Sequence, residues 1–253
     1  MSALSSEGRE FVLAGHSNKW ALGTPRGHSG PPALVQRECF GRIGHFAVEE
    51  TPLPRSATYW NLFVEAARDR DAVLSYEGSQ HVIGFLFMPK PGFDFIEPTV
   101  PGPLAARAAI IPRRMVEARF APSMSGLRSL LKRLQEGGAR RCLVVGTPPP
   151  SDDLGRFEKE VRSSAFWAKT FEQQKFNIES AQFVTPRLLL KLWAVLQDVT
   201  EAATREAGGT FIRVPDSLRD ANGFLAPEHR LRQDFTHAAD SFGQEMLRHT
   251  LSA

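Results

Sequence analysis

"FVLAG" (11–15), which opens the longer stretch "FVLAGHSNKW" (11–20), decides the fold. Four apolar residues run without interruption into a glycine, a histidine and a serine. A run that is apolar at every position, not at alternate ones, is the pattern of a strand buried on both faces. "ALVQRECFG" (33–41), "AVLSYEG" (72–78), "RCLVVG" (141–146) and "TFIRVP" (210–215) read as further strands. Helical patterns lie among them: "ATYWNLFVEAARDRD" (57–71), "MSGLRSLLKRLQEGG" (124–138) and "TPRLLLKLWAVLQDVTEAATREAGG" (185–209). The last of these begins with Thr185 as N-cap and Pro186 at the first helical position. Both of the longer patterns end at a glycine pair. A fourth helix is expected over "DFTHAADSFGQEMLRHTL" (234–251), with Gly243 weakening it. Strands separated by crossovers of more than a dozen residues predict an α/β fold, with a parallel sheet of about five strands covered by helices on both faces.

The 253 residues, 42% hydrophobic and 23% charged, suit one globular domain over 1–253 that buries its core without disulfides or structural metal. Net charge is +3. Arginines fall in pairs (Arg113 and Arg114, Arg140 and Arg141, Arg230 and Arg232) and not in a continuous track, so no nucleic-acid partner is expected. Cys39 and Cys142 sit in separate apolar runs and are expected reduced and buried. The first ten residues lack the pattern of a secretory signal, and no apolar run reaches the roughly 18 residues of a membrane span. The expected compartment is the cytoplasm. "GTPRGHSGPP" (23–32) and "PKPGFDFIEPTVPGP" (89–103) read as long loops.

Open parallel sheets bind ligands at the carboxyl ends of their strands. His16 and Ser17 follow the first strand there, and Ser79 to His81 follow the third. "TPPP" (147–150) follows the fourth and stops it. A hydroxyl nucleophile needs a base, and the base needs a group that fixes its tautomer. Ser17, His237 and Asp234 fill those roles, with Asp234 and His237 three residues apart on one side of a helical turn. Asp234 also reads as the N-cap of the last helix. His16 is adjacent to Ser17, but neighbouring side chains leaving a strand point to opposite faces, which makes His237 the better base. Tyr59, Phe63, Trp20, Trp60 and Trp193 read as core residues, and His45 as a surface or pocket-lining one.

A strand running into Gly-x-Ser near the N-terminus, with Asp-x-x-His near the C-terminus, resembles the SGNH/GDSL hydrolases. Those are α/β/α three-layer proteins with a flavodoxin-like sheet. "IIPRRMVEARF" (110–120), "CLVVGTPPP" (142–150) and "GFLAPEHRLRQDFTHAADSFGQEML" (223–247) are similar to a bacterial branch of that family. The resemblance implies Ser17 as nucleophile, His237 as general base and Asp234 as its orienting acid. It also implies an oxyanion hole from the Ser17 N–H, a second-block glycine and a third-block residue. Gly44, with Gly41 as its rival, takes the glycine position, and Ser79 the third-block position. The chain departs from the family pattern at several positions: Gly15-His16-Ser17 stands for Gly-Asp-Ser, "EGSQH" (77–81) puts Ser79 where an asparagine is usual and Gln80 where an acidic residue is, and Asp240 and Phe242 replace an asparagine and a tyrosine of the branch. His16, Gln80 and His81 are expected to line the pocket, His16 as a structural stand-in that bonds the neighbouring loop.

The expected function is hydrolysis or transfer of an acyl ester, of a small molecule or a saccharide, with no cofactor. A catalytically impaired protein of the same fold that binds a saccharide or a protein is the second reading. A nucleotide or phosphate binder ranks third, because the first loop has neither GxGxxG nor a Walker lysine. His16, His81 and His237 are the only metal arrangement the chain suggests; no HExxH-type spacing or carboxylate partner supports it, so no metal is expected.

Overall fold

The computed structural model describes residues 10–26, 28–50, 56–85, 87–88, 92–174, 182–232 and 234–253. Its centre is a six-stranded sheet of β1 (Phe11–Gly15), β2 (Ala33–Cys39), β3 (Arg42–Val48), β4 (Asp71–Ser75), β5 (Arg141–Val145) and β6 (Thr210–Ile212). Across the sheet the order is β6-β5-β4-β1-β3-β2. All neighbours run parallel except the edge strand β2, which is antiparallel to β3. Counted in chain order, the five parallel strands lie 2-1-3-4-5, the flavodoxin-like order.

The helices are α1 (Ala57–Ala66), α2 (Arg113–Phe120), α3 (Met124–Glu136), α4 (Leu154–Ser163), α5 (Ala165–Gln174), α6 (Pro186–Glu206) and α7 (Asp240–Ser252). They make a three-layer α/β/α fold. Val12 and Ala14 of β1 and Ala72 and Leu74 of β4 face one core, with Tyr59 and Phe63 of α1 and Leu127 and Leu131 of α3. Phe11, Leu13 and Val73 face the other, against Phe242, Met246 and Leu247 of α7 and Trp193 of α6. This alternation explains why β1 is apolar throughout: both of its faces are covered, and all five residues are buried. No helix among the described residues is long and apolar enough to cross a membrane.

The helix at 186–206 starts as expected, with the Thr185 hydroxyl accepting from the Leu188 N–H and Pro186 following it. Three expectations need correction. "ALVQRECFG" is not a doubly buried parallel strand but the half-exposed edge of a hairpin with β3. Phe40 and Gly41 turn that hairpin with φ of 53° and 72°, the backbone of a two-residue type I′ turn. Cys39 is therefore half-buried on the edge strand; Cys142 is buried on β5, and both are free. The helical pattern at 57–71 stops at Ala66, and Asp71 begins β4. The last helix begins only at Asp240, capped by Ala239 without a side-chain bond. Before it, β7 (Arg230–Leu231) and β8 (Asp234–Ala238) form a short hairpin. The loop expected over 89–103 lies partly outside the described residues; within it Phe93–Asp94 forms a short strand that pairs with Ala109–Ile110. Lys191 of α6 fastens that segment from within the core, bonding Asp94 Oδ1 at 2.8 Å and the Phe95 carbonyl at 3.0 Å.

The two edges of the sheet differ in chemistry. At the amino edge Asp71 is fully buried and bonded by Arg42, Arg140 and Arg141 at 2.6–3.1 Å. Burial would raise its carboxyl; the guanidinium bonds outweigh burial and hold it well below the usual carboxylate range.

Gly243 does more than weaken a helix. A Cβ there would lie 1.6 Å from the Ala21 carbonyl oxygen, so only glycine lets α7 pack onto the chain just after the Ser17 turn. Gly243→Ala is expected to lower the unfolding free energy by about 1–3 kcal/mol, as overpacking against backbone does. Urea denaturation checks this, and an unchanged midpoint would refute the packing constraint.

Candidate active site

β1 and β4 lie side by side up to their last residues, Gly15 and Ser75. A Cβ on Gly15 would sit 2.1 Å from the Ser75 carbonyl oxygen, so glycine is required for the strands to close there. The His16 N–H then donates to the Ser75 carbonyl at 2.9 Å. Beyond it the chain bends into a single 3₁₀ turn, Ser17–Trp20, with Ser17 half-buried at its first position. The turn thus sits where the parallel strand order reverses, the position at which such sheets bind ligands.

The underside of the turn is polar and closed. Lys19 is 1% exposed; its Nζ donates to Tyr59 Oη at 3.1 Å and lies 4.5 Å above that ring. Tyr59 Oη in turn accepts from the Gly15 N–H at 3.0 Å. Burial draws the Lys19 ammonium down to about 8, opposed by the charge of Glu49. The sequence reading passed over Lys19, because a lysine in a loop carries no signal that separates a buried side chain from a solvated one.

His16 bridges the two strand-end loops. Its Nδ1 accepts from the Glu77 N–H at 2.9 Å, and its ring packs against Trp60 and Tyr76. Since an amide N–H can only donate, Nδ1 carries the lone pair and the ring proton sits on Nε2. Burial, assisted by the charge of Lys19, lowers His16 to about 4, so the ring is neutral at pH 7. Its one acceptor nitrogen is already used, which excludes it as a base toward Ser17.

The loop after β4 is tied to itself. Gln80 Oε1 accepts from the Gly78 N–H at 2.8 Å, and Gln80 Nε2 bonds the Glu77 carboxylate. Ser79 is half-buried, and its carbonyl accepts from Val82 and Ile83. His81 is 3% exposed; burial lowers it to about 3 against an opposing backbone bond at Gly78. His81 is thus a core residue, while Gln80 borders a neighbouring groove of about 370 Å³ with Ile83, Phe85, Arg119 and Phe120.

Gly44 is not at this edge. It pairs with Phe11, the first residue of β1, and a Cβ on it would meet the Phe11 ring at 2.4 Å. Four strand residues, about 13 Å, separate that position from Gly15. Gly44 serves the packing of an aromatic ring and has no part in an oxyanion hole.

Asp234 and His237 lie on β8, not on a helical turn. Asp234 Oδ1 accepts from the N–H groups of Thr236 and His237, at 2.8 and 3.1 Å, and from the Thr236 hydroxyl at 2.7 Å. These are the N–H bonds a helix cap would make, yet the chain continues as β8 and the helix starts only at Asp240. Oδ2 meets His237 Nδ1 at 2.5 Å. Burial would raise the Asp234 carboxyl, but the bond and charge of His237 and the bonds from Thr236 outweigh it and hold it at about 2. The His237 ring stands beside Trp20 of the serine turn, centroids 6.2 Å apart, and its Nε2 is buried with no partner among the described residues. An aspartate that holds Nδ1–H leaves Nε2 unprotonated and able to accept a proton.

A cleft of about 790 Å³ lies elsewhere, between Thr185–Arg187 at the start of α6 and the segment Asp216–Phe224. Neither Ser17 nor His237 lines it. Arg230 of the hairpin reaches its wall, bonding Asp152 at 2.7 Å. Among the described residues no group of three or more His, Cys, Asp or Glu is arranged to hold a metal ion.

No protein-family model matches the chain, and no curated protein sequence matches it. Among solved structures it is similar to a "putative acylhydrolase" from Bacteroides fragilis NCTC 9343, with a TM-score of 0.46 and 13% identity over 99% of this chain and 86% of that one. It is also similar to a dimerisation-deficient mutant of Toc33 from Arabidopsis thaliana, with a TM-score of 0.33 and 10% identity over 98% of this chain and 86% of that one. Neither likeness bears on activity or substrate.

Desolvation of the His16 and His81 rings gives a pH signature. His16 and His81 titrate at about 4 and about 3 in the folded chain, against about 6.5 unfolded. Between pH 6.5 and 4 the unfolded chain binds protons that the folded chain does not, so stability falls as pH falls. Each contributes a slope of about 1.4 kcal/mol per pH unit in that window. His81→Gln is expected to flatten the pH dependence of urea denaturation by about that amount between pH 6 and 4. A slope equal to wild type would refute the neutral, buried state.

Proposed function

We propose that the chain is a serine hydrolase of the SGNH type that cleaves acyl esters through Ser17, His237 and Asp234. One observation carries this reading. The His237 imidazole is held through Nδ1 by Asp234, its ring stands beside Trp20 of the turn that bears Ser17, and its buried Nε2 has no hydrogen-bond partner among the described residues, Ser17 Oγ included.

In the proposed reaction Asp234 fixes the Nδ1–H tautomer and stabilises the imidazolium. His237 Nε2 takes the Ser17 proton as Oγ adds to the ester carbonyl, and returns it to the departing alkoxide. Water then attacks the acyl-serine by the same route. The Ser17 N–H and the Ser79 hydroxyl are donors for the oxyanion, and His16 holds the serine loop against the Glu77 loop as a neutral ring. The substrate is an acyl ester of a small molecule or a saccharide, and no cofactor takes part. The second reading, an inactive module of this fold that binds a saccharide or a protein, is favoured by the separation of the large cleft from Ser17.

A fluorophosphonate probe separates the two. The wild-type protein is expected to be labelled, Ser17→Ala not at all, and Asp234→Asn to hydrolyse esters on the order of 10⁴-fold more slowly than wild type. Absence of labelling in folded wild-type protein, or labelling that survives Ser17→Ala, would overturn the hydrolase reading.

A further inference from the structure

Asn18, the residue after Ser17, has a side-chain amide that the fold does not use up. It is 6% exposed. Its Nδ2 makes one long contact, 3.4 Å to the Glu77 carbonyl, and its Oδ1 has no partner among the described residues. A primary amide carries two N–H donors and one acceptor, and a buried one is ordinarily satisfied. The orientation is set by Glu77: with the amide reversed, two carbonyl oxygens would face each other. Room for the group is built in, because a Cβ on Gly78 would lie 2.6 Å from Nδ2 and 2.4 Å from Thr147 Cγ2. The amide is therefore wedged between the serine turn and the Glu77–Gly78 loop, with one N–H that has no partner among the described residues.

Addition of Ser17 to a carbonyl creates charge that needs such a donor. Oγ bonds to the carbonyl carbon, the carbonyl π pair moves onto oxygen, and the Ser17 proton passes to His237. Collapse restores the carbonyl and expels the leaving oxygen, which takes that proton. Donors fixed in a water-poor wall stabilise the intermediate far more than solvent does. We infer that Asn18 is a further catalytic residue whose free Nδ2–H donates to this oxyanion, a role that rests on the hydrolase reading above.

Asn18→Ala and the isosteric Asn18→Asp, which lacks the N–H, test the assignment with p-nitrophenyl acetate as substrate. Rates are taken per folded protein by circular dichroism. Loss of one oxyanion donor predicts a fall in kcat of about 100- to 1000-fold in both variants, with KM within about threefold of wild type. A merely structural role would lower the denaturation midpoint and leave kcat per folded molecule alone. If wild type turns over and is labelled at Ser17 while Asn18→Ala keeps its kcat within about threefold, the assignment of Asn18 is wrong and the triad stands. If wild type neither turns over nor reacts with the probe, the hydrolase reading fails and the Asn18 role falls with it.

Discussion

The site depends on how tightly β1 and β4 close at their carboxyl ends. Gly15 lies against the Ser75 carbonyl with no space for a Cβ, and the His16 N–H bonds that same carbonyl. From this point the parallel order runs toward β3 on one side and toward β5 on the other. Two loops leave adjacent strand ends without crossing, and the space between them is where polar groups can gather. Lys19 and Tyr59 brace the serine turn from below, and His16 ties it to Glu77. Each brace is a buried polar group with a specific partner, which suits a turn that must keep one geometry.

Two carboxylates, Asp71 fully buried and Asp234 partly exposed, are used differently. Asp71 is surrounded by three arginines and has nothing left to offer chemically. Asp234 spends one oxygen on its own backbone and directs the other at His237. The three histidines of the site region divide likewise. His16 has its acceptor nitrogen bonded by an amide, His81 is sealed in the core with no partner for Nδ1 among the described residues, and His237 has Asp234 on Nδ1 and its ring beside Trp20 of the serine turn. Position in the chain does not distinguish them; the partner of each ring nitrogen does.

Much of the fold was legible because β1, β4 and β5 are buried on both faces and so lack any alternation that could be misread. The hairpin of β2 and β3 was not, since its turn is Phe40-Gly41, and a phenylalanine at positive φ is far from the Asn-Gly signal of such turns. Without that hairpin, Gly44 looked like a loop glycine when it is a strand residue under Phe11. The helices at 154–163 and 165–174 went unread although Phe157 and Val161, four residues apart, are a buried helical pair. Around the site, the Asp-x-x-His spacing identified two residues that are indeed bonded, but the wrong backbone was assigned to them. A carboxylate that captures the next N–H groups looks the same in sequence as one that caps a helix. Asn18 and Lys19 were out of reach for a plainer reason: burial of a polar residue in a turn depends on what packs over it, here Gly78 and Tyr59.

The central claim is that Asp234 holds His237 through Nδ1 and leaves Nε2 free to serve as the base beside the serine turn. ¹H–¹⁵N NMR of the imidazole nitrogens tests it without any substrate. The account predicts a strongly downfield His237 Nδ1 proton that is lost in Asp234→Asn, and an Nε2 shift of the unprotonated type. An Nε2-protonated tautomer, or a His237 Nδ1 proton indifferent to Asp234→Asn, would contradict it.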